Sequence, residues 1–206
     1  EVAAQAAVTS NTDIEAFLEE SWIKDPAKKV KEELSSQISI IGENMKIRRF
    51  EKIVAENGFV QSYIHGDGRI GILVEMESSV YNEEVKECAK NVAMQIAAMN
   101  PKYKNREEVP AEFTVHEKEI LKVQTMNDPA NQKKPENIIE KMIEGRLNKE
   151  LKEICLEDQI YVKDGDLTVQ QYVDSVAKEN NIDLKIKKFV RFETGEGLEK
   201  KEENFA

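Results

Sequence analysis

Two histidines, two cysteines and a glycine-rich turn are where this chain could most readily build a chemical site. His65 stands at the lip of the turn Gly66-Asp67-Gly68, near a carboxylate, where an imidazole could move a proton or meet a partner. The commoner fate of such a residue is an ordinary turn position, and residue types alone leave both readings open. His116 lies on a charged helical arm, with Glu117 and Glu119 beside it, which points to a solvated helix face. Neither histidine has a serine, cysteine or second histidine spaced as a catalytic triad or a metal set. No catalytic residue, cofactor loop or metal site is therefore expected, and nothing proposes covalent chemistry. Cys88 falls on an apolar helical stripe and reads as a small core residue. Cys155 is distant and no CxxC occurs, so neither a disulfide framework nor a zinc site is expected. Gly66-Asp67-Gly68-Arg69-Ile70-Gly71 matches GxGxxG by its letters. A dinucleotide fingerprint must open a helix, whereas a strand pattern follows here, so that reading is rejected.

The elements that position these residues can be read from periodicity. Met45–Val54, Phe59–His65 and Arg69–Met76 are rich in strand formers and are separated by Asn57-Gly58 and by the His65 turn. They predict a three-strand antiparallel meander. Leu184–Glu193 alternates Leu184, Ile186, Val190 and Phe192 against Lys185, Lys187, Arg191 and Glu193, with a slip at Lys188-Phe189, and predicts a fourth strand. Glu1–Val8 reads as the end of a helix. Ile14, Phe17, Leu18 and Trp22 fall at helical spacing, after a cap at Thr12 or Asp13. Val30, Leu34, Ile38 and Ile41 form an amphipathic helix that opens at Pro26, ends at Gly42 and is expected to cover the sheet. Val85, Cys88, Ala89, Val92, Ile96 and Met99 form a second helix, capped by Asn82.

A pair of arms follows, over residues 110–155. Pro110 opens one carrying Phe113, Ile120, Val123 and Met126; Ala130–Lys134 is a polar tip; Pro135 opens the return arm with Ile139, Met142, Ile143, Leu147, Leu151 and Ile154. This is a coiled-coil-like helical hairpin, with arms of about 25 Å each, expected to project from the body. Ile160–Val162 reads as a short strand, Val169–Val176 as a helix, and Leu198–Ala206 as the start of a charged helix. The expected fold is α+β: an antiparallel sheet of three to four strands, covered by helices, with a projecting hairpin.

Composition narrows the function. With 30 basic against 40 acidic residues the net charge is −10, so bulk attraction to phosphate is absent and direct nucleic-acid binding is not expected. No apolar run approaches a membrane span and no signal peptide is visible. Free cysteines fit a reducing, cytoplasmic setting. The chain starts at Glu1 and stops after a charged run, so both ends read as cut.

Several blocks together resemble elongation factor Ts, the guanine-nucleotide exchange factor family that acts on elongation factor Tu. They are IGENMKIRRF (41–50), YIHG (63–66) with GRIG (68–71), VAMQIAAMNP (92–101), KPENIIEKMIEGRLNK (134–149), and FVRFE (189–193) running through GEG (195–197) to EENF (202–205). The resemblance implies two subdomains: residues 1–42 as the helical remainder of the amino-terminal core, and 43–206 as the carboxy-terminal, dimerisation core with the hairpin inserted. It implies elongation factor Tu as partner, contacted through Ile41, Gly42 and His65, and a homodimer through the sheet subdomain. The family's small helical domain and its Thr-Asp-Phe-Val strand would lie upstream. Thr12-Asp13-Ile14-Glu15 echoes that motif, but it follows the first helix instead of preceding it, and reads as chance. The rival reading is an oligomerisation or scaffold module built on the hairpin and sheet.

Overall fold

The computed structural model describes residues 1–198 and divides into two units, Glu1–Val54 and Ala55–Ala206. The fold is α+β, as the sequence predicts. The charged helix expected from Leu198 lies outside the described residues, apart from Leu198 itself.

The first unit runs α1 (Val2–Val8), α2 (Ile14–Glu19), β1 (Ser21–Trp22), β2 (Asp25–Lys29) and α3 (Val30–Ile41). Asp13 caps α2, its carboxylate accepting from Ala16 N at 2.9 Å. Pro26 does not open a helix. Residues 25–29 pair antiparallel with β1 instead, and Val30 N donates to Glu20 O at 2.9 Å. Trp22 therefore lies on a strand, not on the preceding helix. This small hairpin sets Trp22 over Val30 and Phe17, the centre of the unit's core. The one buried side chain of α3, Val30, packs in this local core. Residues 45–54 form no strand. Ile47 and Phe50 pack three residues apart onto the same core, with the Phe50 ring 4.6 Å from Phe17. A spacing of three cannot keep both on one face of an extended ladder.

The second unit is built on one antiparallel sheet, ordered β3 (Gly58–His65), β4 (Ile70–Ser78) and β7 (Leu184–Glu193). Between them run α4 (Glu83–Met99), α5 (Ala111–Asn127), α6 (Glu136–Ile154), β5 (Ile160–Tyr161), β6 (Asp164–Thr168) and α7 (Val169–Asn180). Ile72, Val74 and Met76 point to one face, where α4 and α7 cover them with Val85, Cys88, Val92, Ile96, Val169 and Val173. Asn82 caps α4 through Val85 N at 2.9 Å, as the sequence predicts. The buried Gln95 amide ties α4 to the next segment, donating to Ile160 O at 3.0 Å and accepting from Val162 N at 2.9 Å.

The slip in β7 is a bulge. Glu75 pairs with Lys188, but Met76 pairs with Ile186, so Lys187 is the extra residue. One extra residue exchanges the faces of everything beyond it. Leu184 and Ile186 point inward as expected, whereas Val190 and Phe192 move to the opposite face and Phe189 turns toward the core. Lys187 reaches Glu75, a buried carboxylate, at 3.2 Å.

The hairpin arms pack chiefly on each other and carry a cluster of their own: Leu121, Ile143 and Leu147, with Ile139 and Leu151. The seam of α5 differs from the expected stripe. Leu121 and Thr125 are buried, while Val123 and Met126 are exposed. Thr125 tolerates burial because both its oxygens are bonded. Arg146 Nη1 donates to its hydroxyl at 3.1 Å and Asn131 Nδ2 to its carbonyl at 3.1 Å. The tip is therefore not a free linker: Asn131 is itself buried and also accepts from Lys134 Nζ at 2.6 Å.

Candidate functional site

The Ile41-Gly42 position is the end of α3. A helix leaves its last carbonyls unpaired, and a left-handed residue after it returns an N–H to them. Gly42 adopts φ 78°, and its N–H donates to Ile38 O at 2.9 Å. A Cβ there would meet nothing within 4 Å, so the glycine serves the backbone angle and not a close approach. The termination leaves Ile40 75% and Ile41 55% exposed, two large apolar side chains presented at a helix end. Ile41 also borders a shallow apolar groove of about 320 Å³ with Trp22, Leu34, Met45 and Ile47.

His65 closes β3, paired across the ladder with Ile70. Gly66, Asp67 and Gly68 all take positive φ, at 60°, 54° and 89°, and Arg69 N donates to Gly66 O at 3.0 Å. The turn holds the imidazole in solvent at the sheet's end. Tyr63, two residues back on the same face, brings its hydroxyl to 3.2 Å from His65 Nδ1, with ring centroids 6.0 Å apart. Tyr63 was the residue that sequence reasoning missed. Its signal was present, since i and i+2 on a strand share a face. Ile41 and Gly42 belong to the first unit and His65 to the second.

The other reactive residues have structural roles. Cys88 and Cys155 are buried free thiols. Burial pushes Cys88 up to about 12 and Cys155 to about 11, so neither is a nucleophile near neutrality. His116 is exposed on α5. The GxGxxG letters span the turn and open β4, not a helix. Among the described residues no group of three His, Cys, Asp or Glu could hold a metal ion, and no helix is long and apolar enough to cross a membrane.

The sequence matches the family model described as elongation factor TS over residues 1–196. The chain belongs to the elongation factor Ts family. Relatives include the elongation factor Ts of Clostridium kluyveri, 48% identical over 205 residues, and that of Clostridioides difficile, 49% identical over 206. Each alignment takes in 100% of this chain and 66% of the relative. The elongation factor Ts of Clostridium acetobutylicum is 48% identical over 201 residues. The chain thus spans about two thirds of the length of the curated elongation factor Ts relatives it matches.

Proposed function

We propose that this chain is the core of a guanine-nucleotide exchange factor for elongation factor Tu, working in the cytoplasm during protein synthesis. It makes and breaks no covalent bond. It acts by binding the nucleotide-free partner more tightly than the GDP-bound one, which by linkage speeds GDP release. Ile41, Gly42 and His65 are the proposed contacts. The observation that carries the reading, beside family membership, is the exposure of Ile41 at a glycine-terminated helix end. Its exposed part is apolar surface left uncovered within its own unit, and such surface gains most when a partner buries it.

His65→Ala should leave the fold intact, since the side chain is exposed. It should weaken binding to nucleotide-free elongation factor Tu by roughly five- to thirtyfold, the loss usual for one well-placed interface residue. Calorimetric titration measures this, and an unchanged Kd would remove His65 from the interface.

Self-association is proposed through the sheet. β3 is an edge of the three-stranded sheet, and Ile64 on its outer face is 65% exposed. An open edge beside an apolar face favours two-fold pairing of copies. Light scattering should show mass rising with concentration. A constant monomer mass up to the highest concentrations would refute it and would equally weaken the scaffold reading.

A further inference from the structure

We infer that Tyr63 is a positioning residue for His65, fixing the imidazole so that its Nε2–H faces outward as a hydrogen-bond donor to an acceptor on the partner. The inference deepens the proposed contact role of His65 and rests on that reading. An exposed histidine at a hairpin end would ordinarily sample several rotamers and both neutral tautomers, and a partner would have to order it at a cost in affinity. Here two features oppose that freedom.

The first is where Tyr63 is held. It pairs with Ile72 across the ladder and packs against the buried cluster of Ile72 and Val74, so its ring is anchored in the sheet's covered face. The second is the contact itself. The Tyr63 hydroxyl lies 3.2 Å from His65 Nδ1, and the two rings are tilted by 31° at 6.0 Å. A phenol is the better donor of the two groups. The in-plane lone pair of an imidazole nitrogen is the better acceptor, because the phenol oxygen shares its electrons with the ring. The Tyr63 O–H therefore donates to Nδ1. The proton of neutral His65 is then on Nε2, the nitrogen on the far side of the ring from Tyr63. This is the arrangement by which a hydrogen bond to one ring nitrogen sets the role of the other. The anchored tyrosine passes the rigidity of the core to an exposed side chain.

The test pairs Tyr63→Phe with His65→Ala. Tyr63→Phe keeps the packed ring and removes only the hydroxyl. Histidine ¹⁵N shifts of the free chain near pH 8 should show a single Nε2–H tautomer for His65, and a mixture in Tyr63→Phe. The melting temperature should stay within a few degrees. Affinity for nucleotide-free elongation factor Tu should fall roughly three- to tenfold, the usual weight of one hydrogen bond. In the double variant the tyrosine change should add almost nothing to the histidine change, since it acts through that residue. If Tyr63→Phe leaves tautomer and affinity unchanged while His65→Ala weakens binding, the positioning role is overturned and the contact role stands. If His65→Ala itself has no effect, the contact reading fails, and the tautomer shifts alone decide whether Tyr63 orders the imidazole.

Discussion

Release of a fluorescent GDP analogue from elongation factor Tu should be stimulated on the order of a hundredfold less by these 206 residues than by the same chain extended upstream through a Thr-Asp-Phe-Val segment. Exchange requires binding energy that is realised only when the nucleotide and magnesium site is distorted. In the family that the sequence resembles, the Asp and Phe of that motif wedge into the partner's nucleotide domain. This polypeptide contains no such tetrapeptide. Its nearest echo is committed elsewhere, because the Asp13 carboxylate caps α2 and Ile14 packs beside the first unit's core. On the proposed reading, what remains for that domain is Ile41-Gly42 and His65. Each 1.4 kcal/mol of differential binding changes the rate it supports about tenfold. Two lost interface contacts of ordinary strength, at about 1–2 kcal/mol each, therefore amount to roughly a hundredfold. Stopped-flow traces at saturating concentrations of both polypeptides separate this from a mere loss of affinity. Equal plateau rates would mean that the contacts carried by this chain open the nucleotide site by themselves.

What could be read from the sequence was what local periodicity determines. The α4 stripe from Val85 to Ile96 and its Asn82 cap are visible because burial on one helix face repeats every three to four residues and a cap is adjacent in the chain, whereas Met99 at the helix end is exposed. Gly42 could be placed because a left-handed helix end selects glycine by a purely local rule. The misreadings occur where a distant partner decides. Residues 45–54 carry strand formers, yet Ile47 and Phe50 go to Phe17, more than twenty-five residues earlier in the chain. Pro26 fits a first helical turn equally well, but pairing with Ser21 and Trp22 takes that segment into a two-strand ladder. In β7 the slip was visible, while its consequence was not. A bulge at Lys187 can be assigned only with the opposite strand in hand, and it reverses the faces of Val190 and Phe192. The site divides in the same way. Ile41, Gly42 and His65 came from a resemblance, not from periodicity. Tyr63 needed only the two-residue repeat of a strand to be found beside His65, but its hydroxyl contact depends on side-chain rotamers that a repeat does not fix.

Gly58→Ala should be among the most damaging single-methyl changes in the second unit, costing about 3–5 kcal/mol and lowering its melting temperature by about 10 °C. The sequence places Asn57-Gly58 in a hairpin turn. The structure puts Gly58 at the first position of β3, opposite Glu77, with φ 153°. A Cβ built there would lie 1.9 Å from Met76 O and 3.0 Å from both Met76 C and Glu77 Cα. These are backbone atoms of the central strand, so no side-chain rotation relieves the overlap. Either the start of β3 separates from β4, or β4 moves and disturbs Met76, which is fully buried in the core. Two costs add: the backbone angle that L-residues rarely adopt, and the displacement of a paired strand. Gly68→Ala isolates the first of these. It too has positive φ, at 89°, but a Cβ there meets nothing within 4 Å, so it should cost only about 1–2 kcal/mol. Urea denaturation of both variants followed by far-ultraviolet circular dichroism measures the difference. Equal losses would show that β3 can shift away from Met76 at little cost, and that its first residue is not held by the ladder as the register requires.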